Sequence, residues 1–318
     1  MNRETLVEID QISRYYDDQC ALDSISFTVA RGEVLGFLGP NGAGKSTAMQ
    51  IICGVLAASS GKVSIAGHDI VDDAFLAKQH IGFLPERPPL YEDLTVDEYL
   101  KYCARIRLVP STMLADSLAN AKQRCGLHEH GKRLIGNLSK GYQQRVGIAQ
   151  SIIHNPSVII LDEPTSGLDP IQIVEIRELI SELGQDHSVI LSTHILPEVQ
   201  SSCDRVLIIN RGRLVLDENM NSLRSDSSQA SCTIALQNPP LLEELENIDG
   251  VIQVDCVDQH RFQITYSLDG STLQQIAALA STSRWDLFEL VPEHDSLEQT
   301  FVRLIRGELE NASYPQQK

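Results

Sequence analysis

Nine residues, Gly39, Pro40, Asn41, Gly42, Ala43, Gly44, Lys45, Ser46 and Thr47, follow the apolar run Val34 to Leu38 and lead into helix-compatible sequence. Their pattern, G-x-x-x-x-G-K-[ST], is suited to holding phosphate. The glycines let the backbone turn back so that successive N–H groups face one anion. Lys45 would reach the β- and γ-phosphates and Ser46 would hold Mg²⁺, while the following helix N-terminus adds positive dipole character.

Residues 158–170 read VIILDEPTSGLDP, an apolar stretch ending in two adjacent carboxylates. This predicts a buried parallel strand. Ligands of open α/β sheets gather beyond the C-terminal ends of such strands, which places Asp162 to hold Mg²⁺ and Glu163 to take a proton from an attacking water. The bland alternative is two solvated acids at a strand end. A phosphate loop that already requires a Mg²⁺ partner argues against it.

Between these segments lies LSKGYQQR, residues 138–145, and beyond them STH ends at His194. The set GPNGAGKST, LSKGYQQR, LDEPTSGLD and STH, in that order, resembles the ATP-binding-cassette (ABC) ATPases over residues 4 to about 218. The resemblance implies that Ser139 and Gly141, with Lys140 between them, contact the γ-phosphate of an ATP held by a second subunit. A small hydroxyl and a glycine backbone at a helix N-terminus suit an anion. It further implies that Tyr16 stacks on adenine, contributing about 1–3 kcal/mol by analogy with base stacking. Tyr15 is the rival for that role, and packing of both rings is the plain alternative. His194 matches the histidine that touches the γ-phosphate and orients water, and Asp169 the loop that crosses a dimer interface.

One position departs from the family. Relatives usually carry Gln where IGFLPE places Glu86. A carboxylate can still ligate Mg²⁺, but without the metal its charge would repel the γ-phosphate. Glu86 is therefore expected to keep a coupling role and make turnover more Mg²⁺-dependent. Together with LSKGYQQR and a C-terminal S-L-E-x-x-F phrase, it makes the chain similar to the gliding-motility and multidrug type of ABC-2 ATPase subunit.

The chain has 318 residues and a net charge of −17. That length suggests two domains, and that charge argues against extended contact with nucleic acid or anionic lipid. No apolar run approaches the ~20 residues of a membrane span, and the N-terminus lacks an apolar signal region, which predicts a cytosolic subunit. Seven scattered cysteines without C-x-x-C spacing fit reduced, buried residues. His128 and His130 are expected in a solvated loop.

The predicted fold class is α/β: a P-loop NTPase of the ABC ATPase type, with a mixed sheet core, an antiparallel β subdomain and a helical insert, followed by a small α+β domain. The boundaries expected are 1–220 for the ATP-binding domain with its insert at about 87–155, a linker at 221–230, the α+β domain at 231–307 and a disordered tail at 308–318. LVEID and SISFTVARGEVLGFLG are expected to cover the adenine side. In the insert, Thr95 and Glu98 are spaced as a capping box, and a second helix is expected from about Thr112 to Cys125, stopped by Gly126. Tyr91, Leu94 and Tyr99 either face a membrane partner or pack the insert's own core. Residues 221–318 hold 6 basic and 15 acidic side chains; strands are predicted at CTIAL, VIQVDCV, RFQITYSL and WDLFELV, with helices at STLQQIAALAST and DSLEQTFVRLIRG, the last covering the sheet with Leu297, Phe301, Leu304 and Ile305. This domain could regulate, dimerise the ATPase or bind a small ligand.

The resemblance implies an ATP-hydrolysing subunit working as a head-to-tail homodimer, or paired with a related subunit, with ATP and Mg²⁺ between phosphate loop and signature. It would energise an integral membrane permease from the cytoplasmic face, as an exporter. The rivals are a cytosolic ATP-driven switch on nucleic acid or ribosomes, a cassette that binds ATP without hydrolysis, and an importer. Specificity for cargo resides in the permease.

Overall fold

The computed structural model describes residues 4–220, 222, 229–267 and 272–293. The chain divides into two units, Met1–Met220 and Asn221–Lys318.

In the first unit, β1 (Thr5–Tyr16), β2 (Gln19–Ala30), β4 (Ser60–Ile65) and β5 (His68–Asp69) form an antiparallel sheet in the order β2-β1-β4-β5. A six-stranded sheet has the order β10-β9-β3-β8-β7-β6, from β3 (Val34–Leu38), β6 (Ile81–Leu84), β7 (Val158–Asp162), β8 (Ser188–Thr193), β9 (Arg205–Asn210) and β10 (Arg213–Asn219). Only β10 runs antiparallel to its neighbour. β3, β7 and β8 are buried at every position, as expected for strands covered on both faces.

That burial corrects the assignment of GEVLGFLG to the adenine side. Gly32, at φ 69°, turns the chain out of the antiparallel sheet, and Val34–Leu38 enters the central sheet between β8 and β9. Its C-terminal end delivers the phosphate loop, and α1 (Lys45–Ile52) follows directly.

After α2 (Ala74–Gln79) and β6, the insert carries α3 (Val96–Ile106) and α4 (Leu114–Arg124). Thr95 caps α3 reciprocally with Glu98, as its spacing predicts: Thr95 Oγ1 accepts from the Glu98 N–H at 3.3 Å, and Glu98 Oε2 accepts from the Thr95 N–H at 2.9 Å. α4 starts later than Thr112 because Pro110 opens a turn, with the Met113 N–H donating to the Pro110 carbonyl at 2.9 Å. The choice at the insert resolves by residue. Tyr99 and Leu94 join the insert's core, whereas Tyr91 is exposed. α5 (Lys140–Ile152), α6 (Pro170–Asp186) and α7 (Leu196–Ser202) complete the unit. One expectation fails, since Cys20 and Cys256 are exposed. His128 is exposed as expected, and His128 to His130 form a 3-10 turn in which His130 packs on Tyr142, ring centroids 4.3 Å apart.

The second unit contains β11 (Gln229–Leu236), α8 (Leu242–Glu246), β12 (Val251–Cys256), β13 (Arg261–Ser267), α9 (Thr272–Thr282) and β14 (Leu287–Glu293). The four strands form an antiparallel sheet in the order β12-β13-β11-β14. Cys232, Ile234, Phe262, Ile264 and Tyr266 alternate onto its buried face against Ile276 of α9. Trp285 is buried just before β14, and the short α8 had no clear sequence signal. The terminal helix expected over DSLEQTFVRLIRG, its face of Leu297, Phe301, Leu304 and Ile305, and the tail lie outside the described residues.

Candidate functional site

A cavity of about 300 Å³ opens at the C-terminal ends of β3 and β7 and is lined by Asn41, Gly42, Gly44, Lys45, Ser46, Thr47, Glu86, Glu163, Ser166 and His194. The loop that shapes it cannot carry larger residues at two points. A Cβ on Gly39 would lie 2.4 Å from the Ile209 carbonyl oxygen, and Gly44 has φ 109° with the Ala21 carbonyl 2.7 Å from where its Cβ would be.

Lys45 is buried and folds back over the loop, its Nζ donating to the Gly39 carbonyl at 2.9 Å and the Pro40 carbonyl at 3.3 Å. It also stands 3.2 Å from Glu163 Oε1. The other Glu163 oxygen lies 2.7 Å from His194 Nδ1. Glu163 sits at φ 48°, a left-handed conformation that non-glycine residues adopt infrequently. Its N–H is held by the Ser192 carbonyl at 3.1 Å and the Ser192 hydroxyl at 3.0 Å. The turn after β7 is thus fixed to the end of β8, and the carboxylate is aimed at the cavity.

Ser46 Oγ donates to Asp162 Oδ1 at 3.2 Å, and Ser192 Oγ donates to the same oxygen at 2.5 Å. Burial pushes the Asp162 carboxyl above its ordinary range, and the charges of Glu163 and Glu86 push the same way against the two hydroxyls. The donors converging here are therefore hydroxyl and carboxylate oxygens, which suit a hard cation such as Mg²⁺. No cluster of three or more His, Cys, Asp or Glu side chains with metal-holding geometry occurs among the described residues. A cation here would be shared between one or two protein oxygens and a nucleotide's phosphates, the usual arrangement for Mg²⁺.

The remaining candidates lie outside this cavity. Ser139 caps α5, its Oγ accepting from the Tyr142 N–H at 3.5 Å. Lys140 opens that helix, and Gly141 packs so closely on α6 that a Cβ would lie 2.6 Å from the Gln172 side chain. Asp169 caps α6, its Oδ1 accepting from the Gln172 N–H at 3.0 Å, with Pro170 in the first turn. Ala43 is buried in the core. Tyr15 and Tyr16 are both exposed at the β1–β2 hairpin, and the Arg14 guanidinium lies 4.7 Å from the Tyr16 ring centroid. The sequence reading missed Ser166 and Ser192, since a serine in a loop or buried strand carries no signal until its partner is known.

A phosphate loop at the end of a central parallel strand, with a carboxylate pair at the end of β7, the next strand but one in the same sheet, defines a P-loop nucleotide-binding protein. The ABC transporter family model matches residues 22–166. The ABC transporter ATP-binding protein YdbJ of Bacillus subtilis is 32% identical over 94% of this chain and 95% of its own length. The bacitracin transport ATP-binding protein BcrA of Bacillus licheniformis is 31% identical over 95% of this chain and 98% of its own. The structure of cbiO1 from Clostridium perfringens, described as part of the ABC transporter complex cbiONQ, is similar with a TM-score of 0.63 and 30% identity, covering 69% of this chain and 90% of that one. The chain belongs to the ABC transporter ATP-binding family and is an ATP-binding, ATP-hydrolysing subunit. No helix among the described residues is long and apolar enough to cross a membrane.

Proposed function

We propose that the chain pairs head to tail with a second copy or a related subunit, holds Mg·ATP between the Lys45 loop of one and the Ser139–Gly141 helix start of the other, and drives export through a separate permease. The observation that carries the hydrolytic part is Glu163 standing between Lys45 and His194 in one cavity. When ATP enters, Lys45 turns from Glu163 to the β- and γ-phosphates. That releases Oε1 to accept the proton of an attacking water, with His194 keeping the other oxygen oriented. Ser46, Asp162 and Glu86 would hold Mg²⁺, which supplies charge neutralisation on the phosphates. Tyr16 takes the adenine ring by stacking.

A groove of about 400 Å³ between α2 and the insert supports the permease contact. It is lined by residues including Phe75, Pro89, Tyr91, Tyr102, Ile106 and Leu108, and four of these, Phe75, Tyr91, Ile106 and Leu108, are more than half exposed. Exposed apolar side chains grouped in this way mark a surface that another protein covers. Export is favoured by similarity along nearly the whole chain to a subunit named for bacitracin transport. The cargo is set by the permease, and the second unit supports pairing of the ATPase.

The test is a pull-down from detergent-solubilised native membranes with Glu163→Gln as bait in the presence of ATP. Recovery of a multi-span protein, lost when Ile106 and Leu108 are changed to Glu, is expected. Recovery of ribosomes, nucleic acid or soluble partners alone would contradict the transporter role and favour the cytosolic switch.

A further inference from the structure

Glu198, in the first turn of α7, is 1% exposed. Each carboxylate oxygen accepts a hydroxyl: Thr165 Oγ1 donates to Oε1 at 2.6 Å, and Thr193 Oγ1 donates to Oε2 at 2.6 Å. Arg177 of α6 stands 3.8 Å from Oε1. Thr165 lies two residues after Glu163, and Thr193 immediately precedes His194. Thr193 Oγ1 also accepts from the Ile195 N–H at 3.0 Å, which fixes the backbone on the far side of His194. One buried carboxylate therefore ties the turn that carries Glu163 to the turn that carries His194.

Burying a carboxylate is a poor route to stability, since apolar residues of similar volume do as well or better. A fully satisfied polar network does specify geometry. The geometry at stake is the 2.7 Å contact between Glu163 and His194, which stand in the turns just after β7 and β8. Glu198 does not line the cavity.

We propose that Glu198 is a positioning residue for ATP hydrolysis, locking the Glu163 and His194 turns into one unit through Thr165 and Thr193. The proposal rests on the hydrolytic roles given above to Glu163 and His194. It requires that loosening the clamp misplace the base while leaving the phosphate loop, and so nucleotide binding, intact.

The test is the single-turnover ATPase rate and the KM for ATP of the full chain as wild type, Thr165→Val, Glu198→Gln and Glu198→Ala, each also combined with His194→Ala. Glu198→Ala is expected to lower the rate about tenfold or more, because displacement of a catalytic group by an ångström has effects of that size. KM should stay within about twofold, the signature of a loss confined to the transition state. Glu198→Gln, which offers one acceptor and one donor to the two hydroxyls, should recover most of the rate. With His194 already removed, Glu198→Ala should lower the rate no further. Thr165→Val cuts one arm with an isosteric side chain and is expected to show an intermediate loss, so it decides the matter if Glu198→Ala does not fold. Unchanged rates, a loss that only follows the folded fraction, or losses that multiply with that of His194→Ala would overturn the proposal. A fully active Glu163→Gln would overturn the hydrolytic roles and this proposal together, whereas an inactive Glu163→Gln beside fully active Glu198 variants would sink the proposal alone.

Discussion

Lys45 Nζ lies 3.2 Å from Glu163 Oε1, and the two side chains are only 6% and 10% exposed. The cation proposed to bind phosphate and the carboxylate proposed to activate water thus neutralise each other inside the protein. On the proposed roles, entry of a triphosphate would replace Glu163 as the partner of Lys45, so that binding substrate and freeing the base would be one exchange. A buried pair broken on one side leaves the other charge unmatched. Lys45→Met is accordingly expected to weaken ATP binding and also to lower the melting temperature of the nucleotide-free protein, through the stranded Glu163. Nucleotide titration and a thermal melt of the same variant check both.

Asp162 yields a prediction of opposite sign. Burial and the neighbouring Glu163 and Glu86 charges raise its folded carboxyl above the ordinary value. A carboxyl raised on folding contributes stability at low pH that is lost as pH rises through the folded value, so its ionised form is destabilising at neutral pH. Asp162→Asn keeps an acceptor for Ser46 and Ser192 and removes that charge. In metal-free buffer near neutral pH it should melt higher than wild type, with the advantage fading as pH falls into the carboxylate range. Mg²⁺-dependent ATPase should be lost. An unchanged melting temperature at all pH values would remove the electrostatic explanation.

Glu86 lines the same cavity as Lys45 and Ser46. Its charge should make ATP binding without metal unfavourable and binding with Mg²⁺ favourable. The ratio of ATP affinity with Mg²⁺ to that with EDTA is expected to fall in Glu86→Gln. Fluorescent-nucleotide titration in the two buffers measures it, and an unchanged ratio, with unchanged stimulated ATPase, would deny Glu86 this role.

Acid sensitivity should come from the core. His154 donates from Nε2 to the Ile81 carbonyl at 3.0 Å, and its buried Nδ1 has no partner. Burial lowers its pKa from 6.5 to about 4, with the Arg107 charge acting the same way. A histidine depressed on folding contributes stability present above its unfolded value and lost as pH falls through the folded one. Stability should therefore decline between about pH 6.5 and 4, and His154→Gln should flatten that decline. Thermal melts across this window, compared between wild type and variant, give the answer.

Much of the first unit could be read from local signals. The glycine spacing of residues 39–44, the apolar run before Asp162 and the Thr95–Glu98 pair each announce a structure through a few neighbouring residues. The central strand β3 was misassigned because an apolar run does not say which sheet will cover it; the turn at Gly32 and burial on both faces decide that. The contacts that finish the site were the least legible. Ser192 and Glu198 act through partners 30 and 33 residues away in sequence, and such pairings exist only once β7 and β8 are side by side. Tyr91 and Tyr99 share one helical insert and one residue type, yet only Tyr99 is buried, an outcome set by packing against α3's neighbours.

Glu163→Gln offers the most direct measurement, with ATPase rate and ATP affinity determined on the same preparation of the full chain. The amide keeps the size of the side chain and a contact for His194, but it cannot take a proton from water. The expected result is a rate lower by about 10²–10⁴-fold, the usual contribution of a general base, with ATP bound at least as tightly as by wild type. A variant that retains wild-type turnover would contradict the assignment of Glu163 as the base between Lys45 and His194.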